Sequence, residues 1–284
     1  MKLTEHNYRN LTLLGFLLLV LSFLHPSTRS HAINPKTSLY LPINSALFPT
    51  LKTDLEFALA AENLRNIEIK TADYWLGYQQ GLRLGRVGIY FAAPHYSAWA
   101  IQSHGFIPML RLPNKLKYVI AVRQNDSHFF EVSDLAQQQV CTERGLNLIY
   151  ILLNDAFKKG VFSAKPLEVW SVADEMHRDT ADCKAFSISD HLFEELNIKY
   201  PGKFTRLYQG NTFNNYAFIA HPDIDPELSD RLERFLRSES AIKLLEKTYR
   251  MYSSKTNLVD ARKTDYPIEY IEPLSAYWKN TAAN

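Results

Sequence analysis

Cys141 and Cys183 are the only two cysteines in the 284-residue chain, which excludes a disulfide-dense scaffold and a multi-cysteine zinc site at once. Three fates are open to the pair: a disulfide, two buried thiols, or a thiol nucleophile that would need a histidine beside it. Beyond residue 32 the histidines are His95, His104, His128, His177, His191 and His221, and none share the short spacing of metal ligands. H-E-x-x-H, C-x-x-C, G-x-S-x-G and G-x-x-x-x-G-K-[ST] are all absent. Gly77, Gly81, Gly85 and Gly88 repeat by helix turns and not as a phosphate fingerprint. The chemistry on offer is therefore recognition: no enzyme, metal or cofactor is expected.

Arg144 is the sharpest recognition candidate. Its guanidinium can grip a carboxylate or phosphate with two parallel hydrogen bonds, and Gly145 beside it suits close approach. The plainer alternative is an ion pair with Glu143. Asn147 follows one turn on, as an amide donor or an ordinary helix-start residue. His95 comes directly after Pro94 at a helix start, where its ring reaches either a cleft or solvent. Tyr74 and Tyr96 stand at strand-to-helix junctions, as ligand walls or as core. Asn44 opens a loop after a strand.

The elements that position these residues read as an alternation of strands and helices. Leu39-Tyr-Leu-Pro-Ile43 is a short strand, and Leu51, Leu55, Ala58 and Leu59 follow at helical spacing. Ile67–Thr71 is a strand, Tyr74–Leu84 a helix capped by Asp73, Val87–Phe91 a strand and His95–Ser103 a helix. Lys117–Arg123 is a longer strand, long enough to cross between two lobes. Then come a strand at Gln139–Thr142, a helix at Leu146–Lys159, a strand at Leu167–Trp170, a helix at Ala173–Asp182 and a strand at Cys183–Ser187. Asn215–Ala220 is a strand, and Pro226–Arg237 and Ser240–Tyr252 are helices. Two β-α-β-α-β units in one chain imply an α/β fold with two mainly parallel sheets flanked by helices. In such sheets ligands sit beyond the carboxyl ends of the strands. The loops there are Asn44–Leu47, Ala72–Tyr74, Ala92–Tyr96, Thr142–Asn147 and Ser171–Asp174. In a sheet ordered 2-1-3 the strands of Cys141 and Cys183 are neighbours, which permits a disulfide between them.

Composition agrees with a folded, exported protein. Hydrophobic residues make up 46% and aromatic residues 13%, ample to offset chain entropy. The net charge of +2 argues against a broad nucleic-acid-binding surface. Lys2 and Arg9, the apolar run Leu11–Leu24, Pro26 and the small residues Ser30 and Ala32 have the layout of a secretory signal peptide spanning 1–32. The run is shorter than the ~20 residues that span a bilayer, and no cysteine follows it to carry a lipid. Without Lys2, Arg9, Arg29 and Glu5 the chain is formally neutral. An oxidising compartment, periplasmic or extracellular, is expected.

The order of segments resembles the phosphate/phosphite/phosphonate group of periplasmic substrate-binding proteins. The resemblance rests on Gly88-Ile-Tyr-Phe-Ala-Ala-Pro-His-Tyr-Ser97, Gly105–Arg111, Tyr118–Arg123, Ser133-Asp-Leu135, Val140-Cys-Thr142, Thr180–Ala185 and Asn211–Phe218, in collinear order. It implies a bilobal type II periplasmic-binding-protein fold with a crossover-strand hinge. Lobe 1 would be 33–120 plus 214–284, and lobe 2 would be 121–213. It also implies capture of a small polar or anionic ligand and its presentation to an ABC permease, the chain itself remaining a monomer. A variant of this reading reports the ligand to a membrane signalling protein. Asp182 matches the family's acidic position, where a carboxylate accepts from an amine or hydroxyl, although a turn-closing role is the alternative. Where the family places a Ser/Thr cluster, this chain has Glu143-Arg-Gly-Leu-Asn147, and Trp170-Ser-Val-Ala173 replaces the family's histidine loop.

Overall fold

The computed structural model describes residues 36–43, 49–72, 75–126, 128–143, 165–169, 172–178 and 182–271. The expected signal peptide and the expected helix at 146–159 lie outside them. Among the described residues no helix is long and apolar enough to cross a membrane.

The amino-terminal part alternates as its apolar spacing requires. Strand β1 (Thr37–Leu41) leads to helix α1 (Leu51–Ala61), which buries Leu51, Leu55 and Leu59 as a single stripe. After a turn through Asn63 in the left-handed region come β2 (Ile67–Thr71), α2 (Trp75–Arg83) and β3 (Ile89–Ala92). Helix α3 (Pro94–His104) starts on a proline, whose fixed φ suits the first turn. It ends at Gly105, where φ of 71° is open to glycine at little cost, and Phe106 N–H closes back on the Ala100 carbonyl. Strand β4 (Ile107–Arg111) follows. The chain then crosses into β5 (Tyr118–Arg123) and returns much later as β10 (Ala217–Ala220).

One sheet is six-stranded, in the order β11-β4-β10-β3-β1-β2, with β11 at Val259–Asp260. Helices α6 (Pro226–Leu236) and α7 (Glu239–Arg250) also serve this part of the chain, and α7 packs on α1. Each has a side-chain cap: Asp225 accepts from Glu227 N–H, and Ser238 from Ala241 N–H. The other sheet is five-stranded, β7-β6-β8-β5-β9, from β6 (Gln139–Glu143), β7 (Lys165–Val169), β8 (Ala185–Ser189) and β9 (Phe204–Gln209). Helices α4 (Val172–His177) and α5 (Asp190–Lys199) belong to it.

The expectation of mainly parallel sheets holds within the βαβ units and is corrected at the crossing strands. Strands β1, β2 and β3 pair in parallel, as do β6, β7 and β8. β10 is antiparallel to β3 and β4, and β5 is antiparallel to β8 and β9. A strand that leaves one sheet and another that returns to it must run in opposite senses. The 2-1-3 order expected for the second unit is the observed β7-β6-β8. Cys141 and Cys183 are bonded across it, with Cα atoms 5.4 Å apart.

Four elements were not read from the sequence, the two-residue β11 among them. β4 contains Pro108, which lacks a ladder donor, and the β10 pairing shifts register between Phe218 and Ile219, where Pro108 meets Ile219. β9 is an edge strand with Thr205 and Arg206 exposed. α5 starts without a loop, because Ser189 is both the last residue of β8 and the cap that accepts from Leu192 N–H. The expected helix at 173–182 is shorter: Asp182 lies in a bend outside it.

Candidate functional site

Register brings the carboxyl ends of the parallel strands in both sheets to the two crossing segments. Ala217 of β10 pairs with Ala92 on one side and Arg111 on the other, so the end of β3 lies beside the start of the outgoing crossing, residues 112–117. In the second sheet Tyr118, the first residue of β5, pairs with Ser189, the last residue of β8. The returning segment, residues 210–216, starts with Gly210 N–H donating to the Tyr118 carbonyl at 2.9 Å. Strand ends, crossing segments and the start of α3 therefore meet.

At that start sits His95. The N-cap Ala93 has no side-chain oxygen to offer, Pro94 has no N–H, and the first intrahelical bond is Ser97 N–H to the Ala93 carbonyl. The amides of His95 and Tyr96 thus precede the hydrogen-bonded part of the helix, where its dipole is positive. The His95 ring is 1% exposed and lies 4.1 Å from the Tyr96 ring, and among the described residues neither of its nitrogens has a hydrogen-bond partner. Burial pulls its pKa from 6.5 down to about 3, so the ring is neutral at any physiological pH, with one donor and one acceptor. A buried imidazole with both nitrogens unused is costly unless something else satisfies it.

Tyrosines surround this corner. The Tyr78 hydroxyl donates to the Phe91 carbonyl at 2.8 Å, and its ring meets Tyr96 edge-on at 6.5 Å. Tyr216 stacks on Tyr252 at 3.9 Å. Burial chiefly, and then the neighbouring Tyr252 hydroxyl, hold the phenols of Tyr78 and Tyr216 well above the ordinary range. Asn215, fully buried, donates to the Tyr252 carbonyl and accepts from Tyr216 N–H. His95, Tyr78, Tyr96, Asn215, Tyr216 and Tyr252 are all buried and uncharged, so this wall offers neutral donors, acceptors and ring faces.

Of the residues singled out from the sequence, the structure brings His95 and Tyr96 together at the start of α3. Both are buried, Tyr96 at 1% exposure. Asn44, Tyr74, Arg144 and Asn147 lie outside the described residues. Asp182 is exposed beside the buried Cys183, and above it Arg123 donates to the carbonyls of Glu175, Arg178 and Cys183. Tyr78, Asn215, Tyr216 and Tyr252 were not anticipated. In the sequence Tyr78 follows Tyr74 at helical spacing, and the Asn214-Asn215 pair stands at the start of an apolar run; those were the available signals. Among the described residues no group of His, Cys, Asp and Glu could hold a metal ion.

No protein-family description matches the chain, and no curated protein matches it in sequence. Solved structures do resemble it. XAC2383 from Xanthomonas citri, solved with chloride and with ATP, is 15% identical with a TM-score of 0.65, covering 86% of this chain and 99% of its own. PhnD1 from Prochlorococcus marinus, in complex with methylphosphonate, is 13% identical with a TM-score of 0.63 over 86% and 99%. A binding-protein component of an ABC phosphonate transporter from Pseudomonas aeruginosa is 12% identical with a TM-score of 0.62 over 88% and 89%. The fold is that of bilobal periplasmic binding proteins.

Proposed function

We propose that the chain is an exported solute-binding protein that closes two lobes on a small polar or anionic ligand and presents it to an ABC permease. Lobe 1 comprises 33–120 plus 214–284, lobe 2 comprises 121–213, and residues 1–32 are the cleaved signal peptide. The observation that carries this reading is the unpartnered, buried His95 imidazole at the start of α3, beside the crossing segments. A ligand oxygen placed there takes the ring N–H together with the positive helix end. Methylphosphonate, ATP and chloride, bound by proteins of the same fold, are all anions, which supports an anionic ligand. Asn44, Tyr74 and Tyr96 would line the lobe 1 side, with Arg144, Asn147 and Asp182 facing them from lobe 2.

The mechanism is binding without turnover. Closure is a population shift, limited in size by the ligand's preference for the closed form. The disulfide supports this reading, because it removes Cys141 as a thiol nucleophile, one of the two routes to an enzyme on this fold beside a cleft acid, and it fits an oxidising compartment. The protein acts as a monomer with a membrane partner.

A thermal-shift panel of methylphosphonate, phosphate, phosphite, sulfate, amino acids and dicarboxylates tests the proposal. A ligand at 100 times its dissociation constant adds ~2.7 kcal/mol to stability. His95→Leu should abolish that gain, and Arg144→Ala should weaken an anion by at least ~1.5 kcal/mol. An anion that still binds the His95→Leu protein unchanged would remove this corner from the site.

A further inference from the structure

We infer that the carboxyl-terminal segment 252–271 is a strap that sets how freely the hinge bends, with Asp265, Tyr266 and Tyr270 as positioning residues for ligand capture. The inference rests on the solute-binding reading for its purpose, though not for its geometry.

The two crossing segments hold each other at few points. Leu116 and Phe213 exchange both backbone hydrogen bonds, at 2.9 and 2.8 Å, and Leu112 N–H donates to the Tyr216 carbonyl at 3.0 Å. Lys115 Nζ donates to Asn214 Oδ1. Two strands joined this way form a ribbon that twists easily.

The strap adds a third line of bonds. Asn214 Nδ2 donates to the Asp265 carbonyl at 2.6 Å, and Asn214 N–H donates to the Tyr270 hydroxyl at 3.2 Å. The Tyr270 ring packs edge-on against Phe213 at 4.9 Å. The Tyr266 hydroxyl, on a fully buried side chain, donates to the Asn215 carbonyl at 2.9 Å. The Asp265 carboxylate takes Arg111 Nε at 3.3 Å and Arg262 N–H at 2.9 Å, with Arg111 and Asp265 side chains only 16% and 13% exposed. At the other end of the strap the Tyr252 carbonyl accepts from Asn215 Nδ2, and Ser254 from Asn114 Nδ2.

Apart from the Arg262–Asp265 bond, which is internal to the strap, these contacts fall on 111–114 and 213–216. The strap is itself tied to the six-stranded sheet, because β11 pairs with β4 and Ala261 N–H donates to the Met109 carbonyl. It therefore fixes the first-sheet half of each crossing; Lys117 and Gly210 are held by the second sheet, through Asp190 N–H and the Tyr118 carbonyl, and Asn211–Thr212 is left as the stretch that bends. Asn211 and Thr212 are exposed, as bending points need to be.

Hydrogen exchange on the purified protein, resolved to single amides, tests this. Combining Asp265→Ala, Tyr266→Phe and Tyr270→Phe should speed exchange at Leu112, Leu116 and Phe213 at least tenfold, while Tyr90 and Phe91 of β3 change less than twofold. Tyr270→Phe alone, the mildest change, should show the same pattern in smaller measure. Unchanged hinge amides, or a rise shared equally by β3, would overturn the strap and leave 252–271 as packing only. Methylphosphonate and phosphate added to the wild type separate the two readings. Protection of the hinge by either anion, with no response to the variants, keeps solute binding and discards the strap. Loosening by the variants, with no response to any ligand of the panel, keeps the strap and discards the ligand class.

Discussion

The two sheets are built by similar winding and held by different means. On the six-stranded side the core is made of rings: Phe91 lies 4.6 Å from Phe218 and 5.6 Å from Tyr249, and Tyr90 stacks on Tyr40 at 4.4 Å. Gly81 is part of that packing, since a Cβ there would come within 2.8 Å of the Tyr90 hydroxyl. The five-stranded side has a smaller cluster where α4 and α5 cover it. Val119, Ala121, Phe186 and Ile188 meet Val172, Met176, Phe193 and Leu196. The alternate residues of β5, Tyr118, Ile120 and Val122, join the larger cluster instead. Aromatic burial at this density lets the first sheet keep an uncharged polar corner without covalent ties. The second sheet is tied by a buried cystine and by a guanidinium.

The comparison breaks most visibly if the cystine is removed. Cys141 and Cys183 are 42 residues apart, and closing a loop of that length in the unfolded chain is worth about 4 kcal/mol in the chain-entropy account. The double Cys→Ser variant should lose about that much in urea unfolding, with exchange rising in β6 and β8 and not in β3. A loss below about 1 kcal/mol, or one spread evenly over both sheets, would mean that the cystine is not what holds the second sheet.

Arg123 is the second tie. Its guanidinium donates to the carbonyls of Cys183, Glu175 and Arg178 at 3.1, 3.1 and 2.8 Å and lies 4.7 Å from the Phe186 ring centre. Two of those carbonyls belong to the end of α4, where a cation is favoured. Arg123→Ala should cost about 2–3 kcal/mol. Arg123→Lys should recover less than half of it, because one ammonium cannot reproduce the planar fork. Full recovery by lysine would reduce the tie to charge alone.

Both sheets were legible where apolar runs are bounded by Gly, Pro or a cap, as at β1, β3, β5 and α6. They were not legible where such punctuation is missing or misleading, as at the Ser189 junction and at Pro108 within β4. The site divides in the same way. His95 could be found because Pro94 marks a helix start. Asn214 and Asn215 could not, because their partners Tyr252, Asp265, Tyr266 and Tyr270 come 37 to 56 residues later. Tyr78 reads as an ordinary helix-face aromatic until Phe91 is seen to supply its acceptor.

At the His95 corner, charge is what the structure avoids. The folded-state pKa of His95, about 3, lies below its ordinary 6.5, so between those values the unfolded chain takes up a proton that the folded chain refuses. The stability this contributes is complete above pH 6.5 and is lost as the pH falls toward 3, at ~1.4 kcal/mol per unit. At pH 5 the wild type should therefore have lost about 2 kcal/mol relative to His95→Gln, both measured against pH 7.5 by urea unfolding. Equal slopes would mean that the imidazole protonates freely where it sits.

Tyr249 gives the smallest effect and the only one in the stabilising direction. Its ring is fully buried against Phe91 and Phe218, and its hydroxyl has no hydrogen-bond partner among the described residues. The ring contributes packing, while the hydroxyl forfeits its bond to water without replacement. Tyr249→Phe keeps every ring contact and deletes the orphaned group, so stability should rise by about 1 kcal/mol. The gain should appear in β3 and β10 and leave β8 unchanged. A loss instead would show that the hydroxyl is satisfied in solution, and that Tyr249 holds the first sheet by a polar bond as well as by its ring.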